Sequence, residues 1–465
     1  MNVLYLHTHD IGRYLSVYGH AVKTPHLAEL AADSALFSQC YCGSPTCSPS
    51  RGALLTGQYP HNNGLIGLAH RGFEIDGSHH LAAFLRDHGY ETVLSGVQHE
   101  VLLHHEELLG YMRCLNGDAY YEKILPECER LSVQDRMAAK NAVDYLHARK
   151  KDDRPFFLSV GFGCTHRTYP RVTQERAHTV LQTPPHLPST PETMQDMAAM
   201  HAALQTMDDC CGQVLDALRE SGQYDDTLIL FTTDHGLPMP RMKCCLYDAG
   251  IGVALMLRLP AMRESTGIYD ALVSQLDVFP TLCEALHLPA PQWLEGVSLL
   301  PLLRGEKKVL HEAIFSEINY HVAYQPERCA RTARYKLIYR AESGYDRFPP
   351  ANVDDSSFKE LWNSQGYFEQ KLPRWELYDL LMDPMEENNL ADDPSMVGVM
   401  EKMKGMLHAW QQQTKDELLT KGCVPLPPRA ICATPESYST KTQVILPECR
   451  KNLEALRDVL QNIIA

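Results

Sequence analysis

Long apolar runs are missing from this chain of 465 residues. No stretch reaches the roughly 18 apolar residues that a membrane-spanning helix needs. The first ten residues, MNVLYLHTHD, also have no basic leader, no apolar stretch of signal-peptide length and no small-residue cleavage site. We therefore expect a cytoplasmic location and no association with a membrane.

Basic residues are scarce relative to acidic ones. Lysine and arginine number 43 against 58 aspartates and glutamates, which gives a formal net charge of -15 at pH 7. Nucleic acids and other long polyanions bind to basic stripes that such a chain does not supply. A nucleic-acid partner is thus excluded, whereas a small anionic substrate stays possible.

The cysteines do not form the pattern of a disulfide scaffold. Their number, 15, is odd, the chain is long, and Cys210-Cys211 and Cys244-Cys245 are adjacent pairs that bridge poorly. We therefore expect reduced thiols. With 44% apolar and 22% charged residues, the chain has the composition of a globular enzyme of two units, or of one large unit with an appendage.

Four segments rich in β-branched and aromatic residues end in histidine or aspartate. They are NVLYLHTHD (2–10), YETVLSGVQH (90–99), RPFFLSVGFGCTHR (154–167) and DTLILFTTDHG (226–236). Helical patterns at 25–37, 82–90, 136–150 and 193–222 separate them, which predicts a mostly parallel sheet with helices on both faces. Ligands of such sheets bind beyond the carboxyl ends of the strands. This edge would collect the polar residues His9, Asp10, His99, His166, Asp234 and His235.

The stretch CYCGSPTCSPSRGALLTGQYPHNNGL (40–65) places one of its three cysteines in a Cys-Ser-Pro-Ser-Arg pentad. Its pattern predicts a short helix with Ser48 as N-cap, Pro49 as the first helical residue and Gly57 just past the end. Cys47 would precede this helix immediately. The free amides of the first turn and Arg51 would then form a site for a tetrahedral oxyanion.

With this pentad the chain resembles the sulfatase family, whose C-x-P-S-R motif marks a cysteine that is converted to formylglycine. The resemblance extends over TTDHG (232–236), KCCLYDAG (243–250) and RWELYDLLMDPMEENNLADDP (374–394). Within the family, the chain looks most similar to the heparan N-sulfatase branch. The resemblance implies an alkaline-phosphatase-like α/β fold, with a large mostly parallel sheet and a smaller C-terminal α+β domain that carries an antiparallel sheet.

The resemblance also implies the chemistry of the site. In the family, one hydroxyl of the hydrated aldehyde attacks sulfur and the other loses its proton to expel sulfate, with the help of a divalent metal ion and two histidines. By position, the residues that match catalytic roles are Cys47, Arg51, His99, His166 and Lys243. The metal ligands are expected at His9, Asp10, Cys47, Asp234 and His235. A formylglycine-generating maturation enzyme would be the protein partner.

Three positions depart from the family pattern. His9 stands where the family has a first aspartate, His235 stands where it has an asparagine, and Val97 stands where it has a sulfate-binding lysine. Imidazole suits manganese or another transition metal better than the calcium of the family, so the identity of the metal stays open. Either His9 or Arg13 would have to replace the missing cation.

We expect a catalytic domain at 1–320 and a C-terminal subdomain at 321–465. In the second unit, RTARYKLIYRAE (331–342) and RWELYDL (374–380) predict strands of a small antiparallel sheet, and the Met-rich segment 396–410 predicts a helix that packs on it. The segment NLEALRDVLQNII (452–464) predicts a terminal helix with one apolar face. That face would pack on its own domain or on a second copy of the chain in a homo-oligomer.

Three functions agree with these observations. The first is a sulfatase that removes the N-sulfate or O-sulfate of a small sulfated saccharide, N-sulfoglucosamine from heparin or heparan fragments being the preferred candidate. The second is a phosphonate monoester or phosphodiester hydrolase of the same superfamily. The third is a protein that binds sulfated sugars with an unconverted Cys47 and does not catalyse.

Overall fold

The computed structural model describes residues 1–150, 153–173, 183–341 and 344–439, together with residues 175, 445, 446, 449, 451 and 452. The predicted terminal helix therefore lies outside the described residues, apart from its first position, Asn452. None of the helices in the described part of the chain is long and apolar enough to cross a lipid bilayer.

The strands form a large sheet of eight strands, a small sheet of three and a separate sheet of four. In chain order they are β1 (Asn2–Thr8), β2 (Ala35–Phe37), β3 (Cys40–Tyr41), β4 (Glu91–Gly96), β5 (Arg113–Cys114), β6 (Phe156–Phe162), β7 (Thr227–Thr233), β8 (Gly252–Val253), β9 (Leu255–Arg258), β10 (Gly267–Tyr269), β11 (Val273–Ser274), β12 (Ala313–Tyr320), β13 (Tyr324–Thr332), β14 (Tyr335–Arg340) and β15 (Trp375–Asp379).

The α-helices of the described residues cover both faces of the large sheet and one face of the four-stranded sheet. They are α1 (Pro25–Ala32), α2 (Cys47–Thr56), α3 (Pro60–Asn63), α4 (Leu81–Asp87), α5 (Asp118–Tyr121), α6 (Glu127–Ala148), α7 (Pro191–Glu220), α8 (Asp248–Ile251), α9 (Val278–Ala285), α10 (Leu300–Leu303), α11 (Ser357–Ser364), α12 (Val397–Gln413) and α13 (Glu417–Lys421).

The large sheet has the strand order β10-β2-β9-β7-β1-β6-β4-β5. The four segments predicted as strands are its adjacent members β7, β1, β6 and β4, and they run parallel to one another. Side chains of β1 alternate between two apolar cores, since Val3 and Tyr5 pack in one and Leu4 and Leu6 in the other. Both faces are buried, which is typical of parallel sheets. The predicted fold class is thus confirmed.

Close packing at the carboxyl edge of the sheet depends on Gly161 in β6. A Cβ at this position would lie 2.1 Å from the carbonyl oxygen of Val97 and 2.5 Å from Cε1 of His7. The missing side chain lets the His7 ring lie against β6, where it takes part in the site described below.

The pattern at 25–37 was expected to be one helix, and the structure differs. Helix α1 ends at Ala32, and Ala35–Phe37 forms strand β2, which pairs with β9 and β10. Residues 35–37 are wholly buried and apolar, and such a short buried run does not reveal its secondary structure by periodicity.

The four-stranded sheet is antiparallel, in the order β12-β13-β14-β15. The predicted Met-rich helix is α12, whose Met400, Met403, Leu407 and Trp410 pack in one core with residues of this sheet. Strand β12 was expected to close the catalytic domain, but it is the first strand of this sheet. The division of the chain at residue 320 therefore stays a prediction, while the sheet itself begins at Ala313.

Strand β12 also joins the sheet to the loop that precedes α2. The Ser316 hydroxyl donates to the carbonyl oxygen of Cys42 at 2.7 Å, and the Glu317 amide donates to that of Gly43 at 2.9 Å. The C-terminal sheet thereby helps to position the helix that carries Cys47.

Candidate active site

The carboxyl ends of the four central strands bring the predicted polar residues together. His9 and Asp10 follow β1, His99 follows β4, His166 follows β6, and Asp234 and His235 follow β7. The His9 ring lies 4.5 Å from the His99 ring and 5.7 Å from the His166 ring, measured between centroids. Residues separated by more than 200 positions therefore share one crevice, as the strand pattern predicts.

Helix α2 delivers Cys47 to this crevice. Its Sγ lies 3.3 Å from Nε2 of His235 and 4.0 Å from Oδ1 of Asp10. Thr46 is the N-cap, with extended backbone angles, so Cys47 is the first helical residue and the expected N-cap at Ser48 is wrong by two positions. The expected end of the helix is confirmed, since Gly57 adopts the left-handed conformation that terminates it.

The Cys47 thiol is not an activated nucleophile. Its side chain is buried, and burial raises the pKa of the thiol well above its ordinary value, although Lys243 works in the opposite direction. A protonated thiol attacks and binds metals poorly, because the thiolate is the reactive form. The residues around Cys47 are thus arranged as in a catalytic centre, but a protonated thiol is a poor nucleophile for it.

Two buried carboxylates face Cys47. Oδ1 of Asp234 accepts hydrogen bonds from the backbone amides of Asp10 and His235, both at 2.9 Å. Asp10 has a φ of 53°, a left-handed conformation that costs a non-glycine residue roughly 1 to 3 kcal/mol. This backbone conformation turns the Asp10 side chain into the site. Its Oδ1 faces Cys47 and its Oδ2 accepts a hydrogen bond from Lys243.

Arg51 ties the first turn of α2 to the sheet. Its Nη1 donates to Nδ1 of His7 at 2.6 Å, and its Nη2 donates to Oδ2 of Asp234 at 3.0 Å and to the carbonyl oxygen of Thr8 at 3.2 Å. Burial and the neighbouring Arg51 lower the pKa of His7, which is therefore neutral and accepts this bond. His7 is thus a buried, hydrogen-bonded residue that supports Arg51.

The two histidines that depart from the family pattern both lie in the cluster. Nδ1 of His9 is 3.2 Å from Oδ2 of Asp234, and burial together with Arg51 lowers the pKa of His9 to about 4. Nδ1 of His235 donates to the carbonyl oxygen of Gly236 at 3.0 Å, and its Nε2 lies 3.3 Å from Oδ1 of Asp10. A backbone carbonyl that fixes the tautomer in this way is typical of a metal-ligating histidine.

Four donors of the cluster fit a divalent cation. One ligand atom from each of His9, Asp10, Cys47 and Asp234 lies within 4.8 Å of the others, and the same holds for His9, Cys47 and His99. His235 belongs to neither group, but its Nε2 lies 3.3 Å from both Cys47 and Asp10. In addition, Nδ1 of His9 is buried without a well-formed hydrogen bond. A mixed set of carboxylate and imidazole donors suits manganese and similar transition metals better than calcium.

His166 and Lys243 lie on the open side of the cluster. Nε2 of His166 is 3.5 Å from Nζ of Lys243 and 3.8 Å from Oδ2 of Asp10, and the side chain is 31% exposed. His99 is partly exposed, and burial together with His9 lowers its pKa well below the ordinary value. Both predicted catalytic histidines are therefore within reach of a ligand that approaches Cys47.

The family resemblance implies a sulfate-binding lysine at the position of Val97, so another cation would have to take its place. Of the two candidates to replace it, Arg13 lies elsewhere, because its Nη1 donates to the carbonyl oxygen of Ser38 at 2.6 Å and its guanidinium lies over the Tyr41 ring. His9 is in contact with the cluster, so it is the candidate that the geometry retains.

Two residues of the site were not predicted, Asp354 and His321. Oδ2 of Asp354 lies 2.9 Å from Nζ of Lys243, whose ammonium also donates to Oδ2 of Asp10 at 2.9 Å. His321 is buried beside them, and burial and Lys243 lower its pKa well below the ordinary value. Both residues come from loops of the C-terminal half, where no motif signals a role in catalysis.

Comparison with known proteins identifies the family of this site. The sulfatase family model matches residues 1–288, and the model of the C-terminal region of N-sulphoglucosamine sulphohydrolase matches residues 240–366. Human N-sulphoglucosamine sulphohydrolase is 30% identical over 472 residues, which cover 89% of this chain and 90% of the human protein.

Solved structures show the same fold. One, described as a complex with its substrate D-glucosamine-2-N,6-O-disulfate, has a TM-score of 0.68 at 18% identity and covers 89% of this chain and 98% of its own. Phosphonate monoester hydrolase of Agrobacterium radiobacter has a TM-score of 0.63 at 22% identity and covers 89% and 96%. The two family models and the human relative identify the family. The chain belongs to the sulfatase family, in the heparan N-sulfatase branch, and is a hydrolase of sulfuric esters or sulfamates.

Proposed function

We propose that this enzyme removes the sulfate group from the terminal residue of a small sulfated saccharide, using a formylglycine made from Cys47. The observation that carries the proposal is the position of Cys47: a buried, protonated thiol at the start of α2, with His235 and both carboxylates around it. A formylglycine at this position supplies, as its hydrate, a hydroxyl nucleophile that does not need a thiolate. Its formation requires a maturation enzyme as a partner.

His9, Asp10, Asp234 and His235 would hold one divalent metal ion against residue 47. When bound, the ion supplies Lewis-acid stabilisation of the charge on the sulfate oxygens. Manganese or another transition metal fits the two imidazoles better than calcium does. Arg51 keeps Asp234 ionised and oriented for this purpose through its bond to Oδ2.

The remaining residues would move protons and hold the substrate. His166, whose side chain is 31% exposed, donates a proton from Nε2 to the leaving nitrogen or oxygen of the sugar, while His99 accepts a proton. The Lys243 ammonium, held between Asp10 and Asp354, binds a sulfate oxygen. These roles account for each residue that the family motif predicts.

We expect His235→Ala to lose metal binding and activity together. Because Nε2 of His235 lies 3.3 Å from Oδ1 of Asp10, removal of the imidazole should weaken metal binding by at least about tenfold and lower turnover in parallel. Elemental analysis after dialysis against increasing chelator concentrations measures the first effect. His147→Ala is the control, since that histidine is exposed and pairs with Glu220. Full activity of metal-free protein would disprove the site.

We expect the enzyme to prefer single terminal residues to long chains, and the N-sulfate to the 6-O-sulfate. The crevice is formed by buried groups at strand ends, and the chain carries a net charge of -15, so a long sulfated polymer is repelled outside the site. The names of the human relative and of the disulfated glucosamine complex support glucosamine as the sugar. Sulfate release should be faster from N-sulfated than from 6-O-sulfated glucosamine, and faster from monosaccharides than from long heparin.

Sulfate release is measured by ion chromatography, with Cys47→Ala protein to correct for spontaneous hydrolysis. Faster release from the interior of heparin would contradict action on terminal residues. Release from the 6-O-sulfated sugar alone would reverse the ranking of the two positions while leaving the sulfatase assignment intact.

A second candidate is hydrolysis of phosphonate monoesters or phosphodiesters. His235 beside Asp234 favours it, because an aspartate-histidine metal pair also suits that chemistry, and the fold of a phosphonate monoester hydrolase is similar. Turnover of an aryl sulfate and an aryl phosphodiester with the same leaving group separates the two. Binding of sulfated saccharides without turnover by fully converted protein would instead favour the third, non-catalytic function.

The division into a catalytic domain at 1–320 and a C-terminal subdomain at 321–465 remains a proposal, with the qualification that β12 belongs to the second sheet. A homo-oligomer through the terminal helix is likewise a proposal. It rests on the apolar face that Leu453, Leu456, Leu460 and Ile463 form in the sequence pattern.

A further inference from the structure

Asp354 reaches the active site from the C-terminal half of the chain. Its loop is anchored on the turn between β12 and β13, because the Asn352 side chain accepts hydrogen bonds from the amides of Val322 and Ala323 at 3.0 and 2.8 Å. The Asp354 side chain is 11% exposed, and its Oδ2 lies 2.9 Å from Nζ of Lys243. A third carboxylate thus stands next to the two that face Cys47.

Asp354 adds a negative charge to a cluster of buried charged groups. Asp10, Asp234 and Asp354 contribute three negative charges, and Arg51 and Lys243 contribute two positive charges. Glu100 is a further buried carboxyl that interacts with Arg51 and Asp234, and burial raises its pKa. Whatever the other groups contribute, Asp354 lowers the charge of the site by one unit and so disfavours a doubly negative ligand more than a singly negative one.

Substrate and product differ in this respect. A sulfate ester or a sulfamate carries one negative charge, whereas the released inorganic sulfate carries two. A phosphate monoester carries about -1.5 to -2 at pH 7. Without Asp354, the site would carry one more positive charge and would bind the doubly negative ligands better relative to the singly negative ones.

We propose that Asp354 is a charge-selecting residue, which makes the site specific for singly negative tetrahedral groups and promotes release of the doubly negative product. The proposal rests on the metal site of the proposed function. Because phosphodiesters and phosphonate monoesters are also singly negative, Asp354 excludes phosphate monoesters without deciding between the two candidate chemistries above.

A purely structural role would give Asp354 a different environment. The adjacent Asp355 has such a role, since it accepts from Lys359 at 2.8 Å and from Ser439 at the protein surface. Among the described residues, Lys243 is the one lysine or arginine within ion-pair distance of Asp354. The Asp354 carboxylate thus contacts Lys243, for which we propose sulfate binding, and does not hold its own loop in place.

The test uses two tetrahedral anions of similar size, inorganic sulfate and methanesulfonate, the second of which is singly negative and cannot be hydrolysed. Their dissociation constants are measured by calorimetry for the metal-loaded, converted enzyme. In Asp354→Asn, the affinity for sulfate relative to methanesulfonate should rise by about tenfold, because one opposing charge is removed near the ligand. The same variant should show stronger product inhibition and a higher ratio of phosphate-monoester to sulfate-ester turnover.

Two matched variants control for indirect effects. Asp354→Glu keeps the charge and should restore the wild-type ratio, while Asp355→Asn removes a charge one residue away and should leave it unchanged. An unchanged ratio in folded Asp354→Asn, or an equal rise in Asp355→Asn, would overturn the proposal. Should Asp354→Asn not fold, Asp354→Ser takes its place, since it also removes the charge and should show the same rise; an unchanged ratio in that variant would overturn the proposal.

Failure of this proposal and failure of the proposed function give different results. Anion binding needs no turnover, so an unchanged binding ratio in an enzyme that desulfates glucosamine would refute only the role of Asp354. Absence of sulfate release from every sulfated sugar, with the expected shift in binding, would refute only the proposed substrate.

Discussion

Replacing Cys47 by alanine is expected to abolish turnover, with a fall in kcat of about 10⁴-fold or more, as is typical for loss of a nucleophile. The physical reason is that Cys47 alone occupies the start of α2, within 4.0 Å of both His235 and Asp10. Thermal unfolding should change little, because the side chain makes few contacts that alanine cannot keep. Mass spectrometry of the peptide spanning residue 47 should find an aldehyde in active protein and cysteine in protein produced without the maturation enzyme.

Cys42 provides the control for this experiment. It lies in the same stretch and is equally buried, but it faces the apolar core. Cys42→Ala should therefore retain the wild-type rate in all protein that is correctly folded. Wild-type activity of Cys47→Ala, or an aldehyde at any other cysteine of an active preparation, would contradict the assignment of the nucleophile.

Replacing Arg51 by alanine is expected to damage both stability and catalysis. The guanidinium is buried and bonded to His7, Thr8 and Asp234, so its removal leaves the Asp234 carboxylate without a cation. Breaking a buried pair in this way costs about 3 to 5 kcal/mol of unfolding free energy. Turnover of the folded fraction should fall by about 10²- to 10³-fold, because Asp234 is no longer held in place for the metal ion.

Urea unfolding measures the first effect and steady-state kinetics the second. Arg86→Ala is the matched control, since Arg86 pairs with Asp87 at the surface and exposed pairs contribute about 0 to 1 kcal/mol. Arg51→Lys should remain defective, because an ammonium cannot make the three divergent bonds of the guanidinium. A stable and fully active Arg51→Ala enzyme would show that Asp234 does not depend on this pair.

Much of the fold follows from the sequence because its strands and helices carry strong local patterns. The runs that form β1, β4, β6 and β7 are continuous and apolar, and each ends in polar residues at one edge of the sheet. The gathering of His9, Asp10, His99, His166, Asp234 and His235 could therefore be predicted from these patterns alone. The start of α2 was misplaced because Ser48 has a typical capping side chain, whereas Thr46 caps through its backbone conformation alone.

The contribution of the C-terminal half could not be predicted in this way. Asp354 and His321 lie in loops, where neither periodicity nor spacing indicates which residues a fold brings together. Lys243 illustrates the same limit, since its motif suggests contact with sulfate but not the two aspartates that hold it. Such contacts depend on how two sheets pack, which is determined by tertiary structure.

The burial of α2 implies an order of events during synthesis. Every residue from Cys47 to Thr56 is buried, so a second enzyme has no access to the thiol once the chain has folded. The oxidation of Cys47 that we propose would therefore have to precede folding. Strand β1 pairs with β6 and β7, whose residues lie more than 150 positions away, and pairing over such distances is slow. The time that this topology takes to form would then be the time available for modification. The rate of modification relative to the rate of folding would set the fraction of molecules that become active.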